Sequence, residues 1–304
     1  MKTAPACVLF LSGCAGRQSA LDAGGPSALA LENLIFLFFA VCGIVFVLVM
    51  GVMAWALVRA RSETSGSPQT ERSMGRVVAG AIVATFIVIT FLTAASFYAT
   101  PSLDRGKANP PTIVVRGQQW WWQFTYLDRD PAKTFQTANE LHIPVGTDVR
   151  LRLEASDVIH SFWVPNLTGK QDLVPGRENA LTLHASKPGI YRGQCAEFCG
   201  LQHSHMALLV VADEPGDYAR WLEAQRLAAA APLDGEAAAG KLVFMSKPCA
   251  ACHSIRGTEA SGTTGPDLTH VGSRSTIGAI RPEGLFLRKV RHPRRLCGRR
   301  GGDH

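Results

Sequence analysis

Gly189-Ile-Tyr-Arg-Gly-Gln-Cys195-Ala-Glu-Phe-Cys199-Gly-Leu-Gln-His203-Ser-His205-Met206-Ala-Leu-Leu-Val-Val-Ala212 is the stretch on which the reading of this chain turns. Its two ends, Gly189–Gln194 and Met206–Ala212, read as strands, with a tight loop between them. The loop offers two thiols, an imidazole and a thioether. That soft S/N donor set suits copper, whereas magnesium and calcium take oxygen. A further imidazole stands upstream at His160, in Ser156-Asp-Val-Ile-His160-Ser-Phe-Trp-Val-Pro165. Two thiolates on one loop would bridge two copper ions. Each ion would take one imidazole, with weak axial donors from Met206 and a main-chain carbonyl. A Cys195–Cys199 disulfide or a zinc site would use the same cysteines, but neither accounts for Met206 or the nearby Trp-rich strand.

The loop belongs to a strand-rich region of about 100 residues, 112–213. Thr112–Arg116, Gln119–Tyr126, Asn179–Ala185 and the two loop flanks read as strands, as does Asp148–Glu154. In the last of these, Val149, Leu151 and Leu153 alternate with charged residues, the pattern of a half-buried strand. A β-sandwich or barrel is expected. His142 and His184 sit in strand patterns and read as structural histidines, and His205 reads as a surface or interface residue.

Upstream, two apolar runs dominate the 304-residue chain. Residues 31–58 carry only Glu32 and Asn33 as polar side chains, and 77–100 carry no charge. About 20 apolar residues cross a bilayer, so each run is long enough to span. The connecting loop, 59–76, holds Arg59, Arg61, Arg72 and Arg76, which favours a cytoplasmic loop with both ends of the hairpin outside. Glu71 reads as a solvated loop charge. Residues 1–13 resemble a lipoprotein signal ending at Leu11-Ser-Gly-Cys14, with lipid expected on Cys14. Residues 14–30 read as a linker.

Several motifs together resemble subunit II of cytochrome c oxidase: Gly117-Gln-Gln-Trp120-Trp-Trp122, Asn139–Gly146, Asp157–Pro165, Val174-Pro-Gly-Arg177 and the cysteine loop. They stand in the family's order across roughly residues 25–213. The resemblance implies a transmembrane helical hairpin followed by an all-β cupredoxin-like Greek-key barrel with a dinuclear copper centre. The implied copper ligands are His160, Cys195, Cys199, His203, Met206 and the main-chain oxygen of Glu197. The Glu197 side chain would help hold magnesium or manganese at the interface with subunit I. Trp120 would be the surface aromatic through which electrons enter, Trp121 and Trp122 packing or interface residues, and Asp157 a carboxylate on the rim or behind His160. The implied partners are subunits I and III, cytochrome c as donor, and membrane lipid, with no nucleic acid. The implied location is a bacterial inner membrane, with the redox domains on the periplasmic face. The implied role is to pass electrons to haem in subunit I for reduction of oxygen to water coupled to proton pumping. A dinuclear-copper nitric oxide reductase would use the same input subunit, and a membrane-anchored copper carrier would need fewer ligands. A quinol oxidase subunit would lack the copper ligands.

Beyond a helical linker, 214–235, comes Cys249-Ala-Ala-Cys252-His253. This C-x-x-C-H motif supplies two thiols for thioether bonds to haem and an imidazole for its iron. Gly240–Phe244 reads as an amphipathic helix before it, and Gly265-Pro-Asp-Leu-Thr-His-Val-Gly272 resembles the haem-crevice loop of bacterial cytochromes c. The whole resembles the haem-c-fused, caa-type branch, with an incomplete α-helical cytochrome c domain at 236–280. The last methionine, Met245, precedes the haem motif, so the distal methionine of that branch has no counterpart; His270 or His292 are alternative ligands. Residues 281–304 form an anomalous basic tail holding seven Arg and one Lys against Glu283 and Asp303, and the stray Cys297. It accounts for six of the net +7 charges and reads as a shifted frame or truncation.

Overall fold

The computed structural model describes residues 18–59, 68–100 and 110–278. The expected signal segment and Cys14, the middle of the arginine loop, the side chain of Glu71 and the basic tail with His292 and Cys297 lie outside the described residues.

Two helices open the chain, α1 (Pro26–Arg59) and α2 (Pro68–Ala99). Both run past the apolar segments that mark them, because a helix keeps its hydrogen-bond ladder outside hydrocarbon as well as inside. Residues 26–30 are therefore helix rather than linker, and Arg59, Arg72 and Arg76 of the expected loop lie on helices. At 1.5 Å per residue α1 is about 50 Å long, more than the ~30 Å of a bilayer core. The core helix of a soluble domain would be covered by its own chain. Here the most apolar window of α1 is 0% buried and that of α2 is 6% buried, with Phe39, Val47, Leu57, Phe86 and Ile87 all exposed. Such surface needs lipid or membrane-embedded partners.

Ten strands follow: β1 (Thr112–Gln118), β2 (Trp121–Tyr126), β3 (Phe135–Ala138), β4 (Glu140–Pro144), β5 (Val149–Ala155), β6 (His160–Trp163), β7 (Gln171–Leu173), β8 (Asn179–Leu183), β9 (Gly189–Cys195) and β10 (Ala207–Asp213). They form two five-stranded sheets, in the orders β3-β2-β1-β5-β8 and β4-β10-β9-β6-β7. β1 pairs parallel with β5 and β10 parallel with β4, and the other pairings are antiparallel. The inward faces meet in one core that includes Trp122, Phe124, Leu141, Ile143, Val149, Leu151, Leu153, Phe162 and Met206. Each large side chain so buried contributes about 1.5–3 kcal/mol of transfer free energy. The alternation in β5 is realised: Val149, Leu151 and Leu153 are fully buried, while Arg152 pairs outward with Glu178 at 2.7 Å. The hairpin is fastened to this sandwich at its start. The Gly24 amide donates to Asn166 O at 2.6 Å and accepts, through its carbonyl, from the Ser186 amide at 2.7 Å.

After β10, helix α3 (Pro215–Arg226) ends earlier than the expected 214–235 linker helix. Leu227 is already extended, and the Pro232 ring that follows cannot continue a helix. Asp234 then caps α4 (Gly235–Ser246) by accepting from the Ala237 amide at 2.7 Å, and a single turn, α5 (Cys249–Cys252), carries the haem motif.

Candidate functional site

The cysteine loop lies where β9 ends and before β10 begins. Cys195, expected in the loop, is the last residue of β9, and His160 is the first of β6, so both stand on strand ends. The two strands are neighbours, with Phe162 opposite Cys195. This register brings two segments 35 residues apart into one cage. A short 3-10 turn, His203–His205, folds His203 back, and Met206 enters the core with no exposed surface.

The sulfurs of Cys195 and Cys199 are 3.8 Å apart. That is far beyond the ~2.05 Å of a disulfide. It is about what two metal–thiolate bonds of ~2.3 Å to a single ion would span. Around Cys195 stand His160 Nδ1 at 3.9 Å and the Glu197 carbonyl at 3.2 Å. Around Cys199 stand His203 Nδ1 at 3.6 Å and Met206 Sδ at 3.8 Å. The donors of His160, Cys195 and Cys199 all lie within 4.8 Å of one another. Each sulfur thus has one imidazole and one weak donor beside it.

Electrostatics point the same way. Burial pushes the Cys195 thiol up, but its hydrogen bond with His160 and the backbone at Ser161 and Glu197 bring it down to about 6. Burial and then the neighbouring Cys195 charge push Cys199 up to about 12. Two adjacent thiolates do not both ionise without a cation between them, so metal uptake by this pair releases a proton.

Asp157 stands behind the cage. Its carboxylate accepts from His160 Nε2 at 2.8 Å, from the Val158 amide at 2.7 Å and from the Gln119 amide at 2.7 Å. A carboxylate can only accept, so Nε2 of His160 carries the proton and the lone pair of Nδ1 is left on the side of Cys195. Burial pushes Asp157 up, but these hydrogen bonds outweigh it and hold the carboxyl below its ordinary value. Asp157→Ala is therefore expected to weaken copper retention by about 10–100-fold, as removal of ligand-orienting partners does. A chelator-competition titration measures this, and an unchanged affinity would remove Asp157 from the site.

Trp120 is half buried, and its indole donates to the Cys199 carbonyl at 3.1 Å, alongside Gln119 Nε2 at 2.8 Å. Trp122 is in the core. Its amide donates to Asn139 Oδ1 at 2.9 Å and its indole to the Met206 carbonyl at 3.4 Å. Gln119 and Asn139 were missed as site residues in the sequence. Asn139 has a signal, since its left-handed φ of 61° is one that Asn tolerates between two strands. His142 and His184 are structural, bonded to Asp213 and Asp148 at 2.7 Å each, and His205 is exposed.

In the second unit, α5 holds Cys249 and Cys252, both free thiols, and His253 follows. His253 Nδ1 donates to the Pro266 carbonyl at 2.8 Å, which leaves the lone pair on Nε2 available to a metal. Leu242 and Val243 on α4, and Ile277 after the crevice loop, expose apolar surface. Two thiols, an oriented imidazole and uncovered apolar surface fit a covalently held haem. His270 is not presented to this site; its Nε2 is bonded to the Leu227 carbonyl at 3.0 Å.

Comparison with known proteins follows the same division. Residues 127–213 match the family model "Cytochrome C oxidase subunit II, periplasmic domain", and residues 237–292 match "Cytochrome c", running into the basic tail. The chain is 33% identical over 279 residues to cytochrome c oxidase subunit 2 of Alkalihalophilus pseudofirmus, covering 88% of this chain and 80% of that one. It is 43% identical over 116 residues to the Synechocystis protein of the same name, covering 38% and 33%. A solved structure, the periplasmic domain of subunit II of cytochrome oxidase from Bradyrhizobium japonicum, is 31% identical with a TM-score of 0.36, covering 40% of this chain and 95% of that one.

Proposed function

Since the chain belongs to the cytochrome c oxidase subunit II family, we propose that it is the electron-input subunit of a respiratory haem–copper oxidase, carrying its own haem c. One observation supports this above the others: two unlinked buried sulfurs 3.8 Å apart, each flanked by an imidazole. When bound, a copper pair supplies a one-electron redox centre at this point. His160, Cys195, Cys199, His203, Met206 and the Glu197 carbonyl would hold it, and Cys249, Cys252 and His253 would hold the haem.

The chain's own residues then do three things. The two packed sheets fix the ligand positions, so little rearranges when charge changes. Trp120, half buried with its indole on the Cys199 carbonyl, offers a short bonded contact from the surface to the backbone of a residue that would hold the copper. The apolar helices α1 and α2 anchor the sandwich to a membrane, in this reading the bacterial inner membrane with the redox domains on the periplasmic side. Subunits I and III and the surrounding lipid would cover the exposed apolar surface of these helices. Glu197, half buried beside the copper loop, would turn its carboxylate to a magnesium or manganese ion shared with subunit I. Electrons from cytochrome c or the fused haem would pass on to haem in subunit I, where oxygen reduction drives proton pumping.

Purification of the membrane complex tests this reading. Two coppers and one haem c per chain are expected, together with haem A in a copurifying larger subunit. A single copper, or zinc in its place, would overturn it. A complex that reduced nitric oxide and not oxygen would keep the copper assignment and replace the acceptor.

A further inference from the structure

The haem-binding unit is docked against the rest of the chain. Arg256 donates through its guanidinium to the Gln225 carbonyl at 2.9 Å, the Ala229 amide donates to the Arg256 carbonyl at 3.0 Å, and His270 is bonded to the Leu227 carbonyl. These contacts fasten the unit to the end of α3. A separate contact reaches the copper-binding sheet itself. Oε1 of Glu140 accepts from the Thr276 amide at 2.7 Å and from its hydroxyl at 3.0 Å. Both residues are buried, Glu140 at 5% exposure and Thr276 at 6%.

Glu140 opens β4, an edge strand of its sheet. A carboxylate there would be hydrated if the edge were open. Covering it without hydrogen bonds would cost several kcal/mol, and Thr276 supplies two. The residue before Glu140 leads inward. Asn139 accepts from the Trp122 amide through its side chain and from the Leu209 amide through its carbonyl, each at 2.9 Å. The Trp122 indole donates to the Met206 carbonyl, which also accepts from the Cys195 amide at 2.9 Å. Thr276, Glu140, Asn139, Trp122 and Met206 therefore form a continuous bonded route from the docked unit to the copper cage.

We propose that Glu140 is a positioning residue that latches the haem-binding unit to the edge of the copper-binding sheet and so fixes the route between the two redox centres. The electron-transfer consequence rests on the function proposed above. The step is a one-electron oxidation of the haem balanced by a one-electron reduction of the copper pair, with no proton moved and no bond made or broken.

The full-length holoprotein tests it with three variants, Glu140→Ala, Glu140→Gln and Thr276→Val. Hydrogen exchange of the peptide containing Thr276 reads the latch, and the first-order rate of copper reduction after photoreduction of the haem reads the route. Copper absorption controls for the fold. Glu140→Ala is expected to speed exchange at Thr276 and to slow transfer, each by about tenfold or more, as loss of bonds to a charged acceptor does. Glu140→Gln keeps an acceptor oxygen and is expected to restore most of both. Thr276→Val loses one of the two bonds, and it lies outside the copper-binding sandwich, so it decides the matter should Glu140→Ala lose copper. Unchanged exchange at Thr276 in both Glu140→Ala and Thr276→Val overturns the latch. A wild-type chain that holds both cofactors but passes no electron between them overturns the haem's proposed role as donor, while the exchange data still decide the latch.

Discussion

A Cys199→Ser chain is expected to lose its copper pair outright, with cytochrome c oxidation falling at least about 100-fold, because the bridging position cannot be filled by an alcohol. Cys199 Sγ is the hub of the cage. It lies 3.8 Å from Cys195 Sγ, 3.6 Å from His203 Nδ1 and 3.8 Å from Met206 Sδ. Serine nearly preserves the volume of this buried side chain, so the sandwich should fold. What changes is the donor. A hydroxyl is a hard ligand that stays protonated near neutral pH, so it neither bridges two soft ions nor carries the charge that offsets theirs. The residual set of one thiolate, two imidazoles and a thioether suits one copper at most. Metal analysis should therefore drop from two coppers per chain to one or none, and the visible charge-transfer absorption of the pair should vanish. Normal turnover with an intact spectrum would sink the assignment of this loop.

Much of this architecture was legible in the chain because it obeys one-dimensional periodicities. The membrane hairpin follows from uninterrupted apolar runs, and β5 from strict alternation of Val149, Leu151 and Leu153 with charges. Strand β3 was not read as a strand, and β4 was read only through the strand pattern around His142, for a physical reason. Both of their faces are largely covered, so no polar face alternates, and Asn139 turns the chain from one sheet into the other. The cluster of soft donors was legible because Cys195, Cys199, His203 and Met206 stand close together in sequence. Their supports were not. Asp157 is three residues from His160 and could be guessed, but Gln119, Asn139 and the Glu140–Thr276 contact depend on strand register and on docking between units. No local pattern encodes a hydrogen bond between residues 136 positions apart.

The second large effect is expected from a residue with no side chain. Gly117 lies on β1, opposite Trp122 on one neighbour and Ala155 on the other. A Cβ at this position would stand 2.8 Å from His160 Cδ2 and 2.9 Å from its Cγ. The ring can shift only by giving up contacts of its own. It is fully buried, its edge meets Trp122 with centroids 6.2 Å apart, Nε2 is bonded to Asp157 at 2.8 Å, and Nδ1 faces Cys195. Gly265 lies close to the His253 ring as well, where a Cβ would stand 2.6 Å from its Cε1. Gly117→Ala therefore sets two effects against each other. Alanine in a strand interior favours the fold by about 0.5–1 kcal/mol over glycine through lower backbone entropy in the unfolded chain. The displaced imidazole loses its aim at the copper pair, and copper affinity should fall by about 10–100-fold, the scale seen when a ligand's orientation is disturbed. The metal-free protein should melt within a few degrees of wild type, while the copper-loaded protein should lose about 1.4–2.7 kcal/mol of the stabilisation that metal binding gives it. Gly117→Val, with more bulk at the same point, should abolish loading. An alanine variant that retains copper with wild-type affinity and an unchanged absorption spectrum would mean that His160 tilts freely or is not a ligand, and either outcome would break the account of the cage given above.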